Sequence, residues 1–169
     1  MLNNSEVLLP SARFNSIHLL RHMANDFATV KMSLRQLLDW STFVASSDID
    51  WTFVRNVAHD ANMHYFLDAI NAICVEYLKY PKELFPVENI NTKLRDRVLN
   101  DILHPEYSRE ILPPFSNMTK MAFVSYALQK SWRMWSNRWK YRIVYKESLI
   151  QSFWWSVKKY LKSTDVLNN

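Results

Sequence analysis

The 169-residue chain contains no glycine. Phosphate-cradling loops, dinucleotide-binding turns and nucleophile elbows all need glycine where the backbone turns sharply or meets a ligand. None of them exists here in its usual form. Two-residue hairpins also lean on glycine, so its absence works against antiparallel sheet and in favour of helix. With 49% apolar and 22% charged residues, the chain has the composition of a packed globular domain. At this length it can bury roughly 70% of the surface it exposes when unfolded. The expectation is an all-α fold: six or seven helices in a compact bundle, with no significant β-sheet.

The helices can be placed by period and by caps. Residues 1–11, with Pro10 and no period, read as a flexible arm, and a single helical domain follows over 12–163. The organising stretch is 13–40, two helices joined by a polar turn at 29–32. On the first, Phe14, Ile17, Arg21, Ala24 and Ala28 share a face, with Leu20 and Phe27 beside it. Ser33 is an N-cap for the second, and Gln36 three residues on completes a capping box. Leu34, Leu37, Leu38 and Phe43 supply its apolar side. Asp50 caps a third helix over 51–60, with Ile49 and Val54 spaced as a hydrophobic staple. Asn62 starts a fourth, whose wide apolar stripe through Phe66, Ile70, Ile73 and Tyr77 marks the central core helix. Pro81 and Pro86 end that run, and residues 79–90, which contain them, read as a loop. A fifth helix over about 91–103 carries Leu94, Val98, Leu99 and Ile102.

Residues 104–117 hold three prolines and form a connector between an acidic body and a basic, aromatic region at 118–163. From Thr119 onward there are ten Lys and Arg against two acids; the preceding residues hold 11 basic and 14 acidic residues. A sixth helix from Asn117 places Leu128, Trp132, Trp135, Trp139 and Ile143 on one narrow face. A last helix from about Glu147 repeats the theme, and 164–169 should fray. The simplest reading packs the Trp stripe inward and leaves the cations in water. The functional alternative is a partner-binding surface or an anionic membrane surface carried by Arg133, Arg138, Lys140, Lys158 and Lys159. Nucleic acid is disfavoured, since no nucleic-acid-binding motif is present.

Three polar constellations stand out. His18, His22 and Asp26 follow at i, i+4, i+8. Two His at that spacing can share a metal, but the Glu of the zinc-protease pattern is replaced by Leu19, so hydrogen bonding is the preferred reading. Arg21, Arg35, Gln36 and Asp39 would meet if the first two helices pack antiparallel. An internal Arg35–Asp39 ion pair is favoured there over ligand contact. Asp48-x-Asp50 has the form of a magnesium-holding carboxylate pair. No Gly-Ser turn precedes it, and Asp50 is better placed as a cap. Cys74, the only cysteine, excludes an internal disulfide and a cysteine zinc cluster and reads as a buried, inert thiol. The N-terminal stretch has no basic segment followed by an apolar core, so no secretory signal is expected. With no apolar run long enough to span a bilayer, a cytoplasmic setting, with a membrane-peripheral variant, is the expectation.

The order of Leu19, Arg21 and His22, then Leu34–Arg35–Gln36 and Asp39–Trp40, then Asp50–Trp51, resembles the uncharacterised bacterial nucleotidyltransferase family of the polymerase-beta-like superfamily. INAICVEYL at 70–78, RWKYRIVYKES and SFWWSV extend the resemblance over about 14–162. In that family an N-terminal α/β domain carries the Gly-Ser turn and Asp-x-Asp pair that hold the nucleoside triphosphate and magnesium. This chain resembles the helical region that follows. Surface-polysaccharide gene clusters often contain such proteins, which implies a sugar or sugar-phosphate acceptor. Asp26 departs from the pattern, where a second histidine is expected. No catalytic residue carries over. At most, His22, Arg35 and Asp39 match positions that would face the cleft as substrate-binding residues. Magnesium and the nucleotide are implied only with a catalytic domain, which would be an N-terminal partner or a separate subunit; this chain implies no cofactor of its own.

Overall fold

The computed structural model describes residues 10–29, 31–104, 132 and 135–146. Among them are six helices and no strand: α1 (Ala12–Thr29), α2 (Leu34–Ser46), α3 (Trp51–Asp60), α4 (His64–Glu76), α5 (Thr92–Leu103) and α6 (Arg138–Val144). The expected arm, the connector, the helices starting at Asn117 and Glu147 and the fraying tail lie outside the described residues, apart from Pro10, Ser11, His104, Trp132 and residues 135–146.

Short polar side chains set where the helices begin. Ser33 accepts from the Gln36 backbone N–H, while the Gln36 side chain accepts from the Ser33 N–H at 2.8 Å, so both halves of the capping box form. Asp50 accepts from Phe53 N–H at 2.9 Å and Asn91 from Leu94 N–H at 3.0 Å. Ser11 does the same for α1, accepting from Phe14 N–H at 3.2 Å. Each such cap contributes about 1 kcal/mol by occupying a donor that the helix cannot pair.

Asn62 stands at the end of α3 rather than the start of α4, and with Lys79 it takes the left-handed backbone region, at φ 61° and 62°. Both sit just past a helix, where most chains place glycine. At Asn62 the Met63 N–H reaches the Ala58 carbonyl at 2.7 Å and the Asn62 N–H the His59 carbonyl at 3.0 Å, which closes α3 in a Schellman motif. The Asn62 side chain then donates to the Arg142 and Tyr145 carbonyls at 2.9 and 2.8 Å. One amide thus satisfies two carbonyls at the C-terminal end of α6 and ties it to the α3–α4 turn.

α4 is the central helix. Phe66 through Cys74 are all buried along it, and α2, α3, α5 and α6 pack against it. The core joins these residues to Leu20, Met23 and Phe27 of α1, Leu37, Trp40 and Val44 of α2, and Val98 and Ile102 of α5. Large side chains removed from water in this way stabilise the fold by about 1.5–3 kcal/mol each.

Two apolar arcs are rotated from their expected positions. On α1 the buried line runs through Ser16, Leu20, Met23 and Phe27, leaving Phe14 60% exposed. On α2 it runs through Leu37, Trp40 and Val44, leaving Leu34 and Leu38 on the rim. Both arcs obey helical spacing. Period alone does not choose between them when apolar residues lie on either side.

The stripe of tryptophans is also corrected. The backbone turns at Asn137, between helical Ser136 and the start of α6, so the single narrow face is broken. Trp139 goes inward, its ring edge-on to Phe27 at 5.4 Å and beneath Arg97 at 3.9 Å. Trp132 and Trp135 stay outside, 73% and 63% exposed.

Candidate functional site

The α1–α2 hairpin brings part of the expected polar cluster together. Gln36 reaches across from α2 and donates to Asp26 Oδ2 at 2.5 Å, and its Nε2 lies 3.5 Å from His22 Nε2. His22 is itself 3.6 Å from Asp26 Oδ2. Its ring continues a stack along α1, Phe14 on His18 at 6.0 Å and His18 on His22 at 6.4 Å, with the planes within 10° of parallel. The Gln36 side chain therefore does two jobs, closing the capping box and linking the two helices. Where the resemblance leads one to expect a second histidine, Asp26 supplies the acceptor for Gln36.

Arg35 and Asp39 lie one turn apart on the exposed side of α2, beside this cluster. The internal ion pair expected between them does not form: neither is ion-paired with any described residue. Arg21 is exposed in the same way. The polar face thus holds two cations and one carboxylate with no described partner, next to an organised His22–Asp26–Gln36 triplet.

The other residues of the resemblance divide cleanly by role. Trp40 is fully buried and donates its indole N–H to Asn71 at 3.2 Å, Asp50 is a cap, and Trp51 packs edge-on to Trp40 at 6.3 Å. These hold the scaffold, whereas Arg21, His22, Arg35 and Asp39 face water.

A second polar centre, not anticipated from the sequence, is buried between α3, α4 and the connection at 77–91. Arg55 donates to Asp68 at 3.1 Å and to the Pro86 carbonyl at 2.5 Å, and lies 3.3 Å from Glu88. Asp68 also accepts from the backbone N–H groups of Glu88 and Asn89 at 3.1 and 3.0 Å. Asn71 accepts from Trp40 and donates to the same Pro86 carbonyl at 3.0 Å. Each polar group here has a partner, and together they fasten the connection onto α4. At its margin His59 meets Glu88 at 3.3 Å and stacks on His64 at 4.3 Å. Burial first, then the neighbouring His59, pushes the His64 pKa down. The sequence did carry a signal: Asp68 and Asn71 interrupt an otherwise apolar helix at i, i+3 spacing, and buried polar groups need partners.

Of the cations expected on a partner or membrane surface, Arg138 is exposed above Trp135 at 4.9 Å. Lys140 is not on that surface. It is 5% exposed, ion-paired with Asp101 at 2.6 Å and held over the Phe27 ring at 5.0 Å. The break at Asn137 turns its side of the helix inward. Arg133, Lys158 and Lys159 lie outside the described residues.

Among the described residues no group of three or more His, Cys, Asp and Glu is arranged to hold a metal ion. His18 is occupied in the ring stack, Asp48 is exposed and Asp50 is a cap. Cys74 is fully buried, and burial pushes its thiol up to about 12. A shallow groove between α4 and α5 is lined by Asp68, Glu76, Asn91 and Arg95, away from the α1–α2 face. No described helix is long and apolar enough to cross a membrane. Comparison with family models, with curated proteins and with solved structures gives no match.

Proposed function

We propose that this chain is the helical, non-catalytic part of a nucleotidyltransferase-like system. It would work with a catalytic domain, in the same polypeptide or in a separate subunit, that supplies the Gly-Ser turn, the Asp-x-Asp pair, the magnesium and the nucleotide. Its own task would be to shape the acceptor side of the cleft, with a sugar or sugar phosphate as the acceptor class. The observation that carries the reading is the α1–α2 face. His22, Arg35 and Asp39, the residues that the resemblance singles out, are all exposed there, and neither Arg35 nor Asp39 is ion-paired with a described residue. A guanidinium held by a capped helix, and ion-paired with no described carboxylate, suits a phosphate or a carboxylate on another molecule.

The test is a reconstitution with a catalytic domain of that family. Binding of the magnesium nucleotide and of a sugar phosphate is measured by calorimetry for the wild type and for Arg35→Ala. Loss of a charge-assisted hydrogen bond should weaken acceptor or nucleotide binding by about tenfold or more, at unchanged helicity. Equal binding by the variant would take Arg35, and with it the proposed face, out of the cleft.

A further inference from the structure

The turn at Asn137 sorts the aromatic region into two halves with opposite fates. Trp139, Lys140 and Val144 are packed into the domain. Trp132 and Trp135, three residues apart in the chain, are exposed to solvent, and α6 follows with Arg138 and Arg142 exposed and Lys146 just beyond its end. Arg138 and Arg142, four residues apart on α6, form one row, and Lys146 follows beyond the extended Tyr145. The Arg138 guanidinium lies over the Trp135 ring and donates to the Trp135 carbonyl at 3.2 Å, which joins the row to the indoles. No described carboxylate pairs with any of the three. From Thr119 to Lys146 the chain has seven Lys and Arg and no Asp or Glu, and Glu147, beside Lys146, is the first acid after them.

Like charges at i, i+4, here Arg138 and Arg142, disfavour their helix slightly, and an anionic surface would offset that repulsion. The indoles restrict what that counterpart is. Two large apolar rings in water, with an N–H edge each, match the level between lipid headgroups and acyl chains, where Trp collects. Stable peripheral attachment takes two signals, apolar insertion and charge, and both are present on this one patch. Binding of single strands uses a groove that tracks the backbone. The groove between α4 and α5 is lined by Asp68, Glu76 and Arg95 and by neither indole, so it is not part of this patch. We propose that Trp132, Trp135, Arg138, Arg142 and Lys146 form a docking surface for an anionic lipid bilayer. This inference does not rest on the nucleotidyltransferase reading.

The test is co-sedimentation of the whole chain with vesicles of phosphatidylcholine alone and of phosphatidylcholine mixed with phosphatidylserine. Each is run at about 0.1 M and about 1 M salt, over which the screening length falls from ~10 to ~3 Å. A cation near an anionic surface strengthens partitioning by roughly fivefold, so the double variant Arg138→Gln with Arg142→Gln should bind about 25-fold more weakly. Trp132→Ser with Trp135→Ser should also release the protein, while helicity and the melting transition stay unchanged because both rings are exposed. Binding to anionic vesicles that is lost in high salt and in both variants is the expected result. Absence of binding at low salt, equal binding to the neutral vesicles, or binding untouched by the variants would each overturn the proposal. So would binding of a single-stranded oligonucleotide in preference to the vesicles, which would reassign the patch to nucleic acid.

Discussion

Around Asp68 and around Arg35 the chain uses the same kinds of side chain to opposite ends. Between α3, α4 and the 77–91 connection, arginine, carboxylates and an amide are buried and bonded to one another and to backbone. On the outside of α1–α2, arginines and a carboxylate stand in water without described ion-pair partners. Burial makes the difference. A charge taken out of water must be paired and fully hydrogen-bonded, so the inner set is committed to the fold. An exposed charge needs no partner, so the outer set stays free to meet one. In a bundle of this kind polar identity alone says little about function; the solvent on the far side of the residue says more.

The inner set can be broken first, because the largest effect is expected there. Asp68→Ala would leave the Arg55 guanidinium buried without its closest carboxylate and remove the acceptor for two backbone N–H groups. Breaking a buried pair by removing one partner costs about 3–5 kcal/mol. Urea unfolding should show that loss in the midpoint, and hydrogen exchange should show residues 86–91 released before the helices. A cost below about 1 kcal/mol would mean that the network is decoration on a connection held by its apolar contacts, the buried Phe85 with Leu78 and Tyr80.

The Lys140–Asp101 pair stands between the two extremes, since Lys140 is buried and Asp101 is partly open to water. Lys140→Met should cost about 2–3 kcal/mol in thermal or denaturant unfolding by stranding Asp101. Adding Asp101→Leu should recover most of it, because two apolar side chains replace a pair rather than orphan one member. Failure of the second substitution to rescue the first would show that Lys140 matters through its contacts with Phe27 and Trp139 instead.

This gradation explains what was legible in the sequence. The caps at Ser33 and Asp50, the span of α3 and the central place of α4 follow from short-range rules, and each is found as expected. The all-α class followed from the same rules and from the missing glycines. What period could not decide was the rotation of α1 and α2, where apolar residues flank the stripe on both sides. Nor could it find the helix break at Asn137, which reversed the exposure expected for Trp132, Trp135 and Lys140. The Arg55 network was hidden for a different reason. Its partners are 13 and 31 residues apart, and one acceptor is a loop carbonyl, which no side-chain pattern reports. Of the polar face, Gln36 was legible twice, as a cap and as a cluster member, whereas its bond to Asp26 needed the crossing of two helices.

The smallest stability effect is expected where the functional reading is strongest. Arg35→Ala and Asp39→Ala together remove two exposed side chains that make no ion pair with described residues, and alanine suits a helix interior better than aspartate does. The pair should change unfolding free energy by no more than about 0.5 kcal/mol. That expectation sharpens the contrast with Asp68, because both variants delete a carboxylate from the same small domain. If the outer pair proved as costly as the inner one, Arg35 and Asp39 would be structural, and the argument that this face waits for a ligand would lose its basis. If the fold does not notice their loss, any effect on a partner or substrate can be read as contact rather than as unfolding.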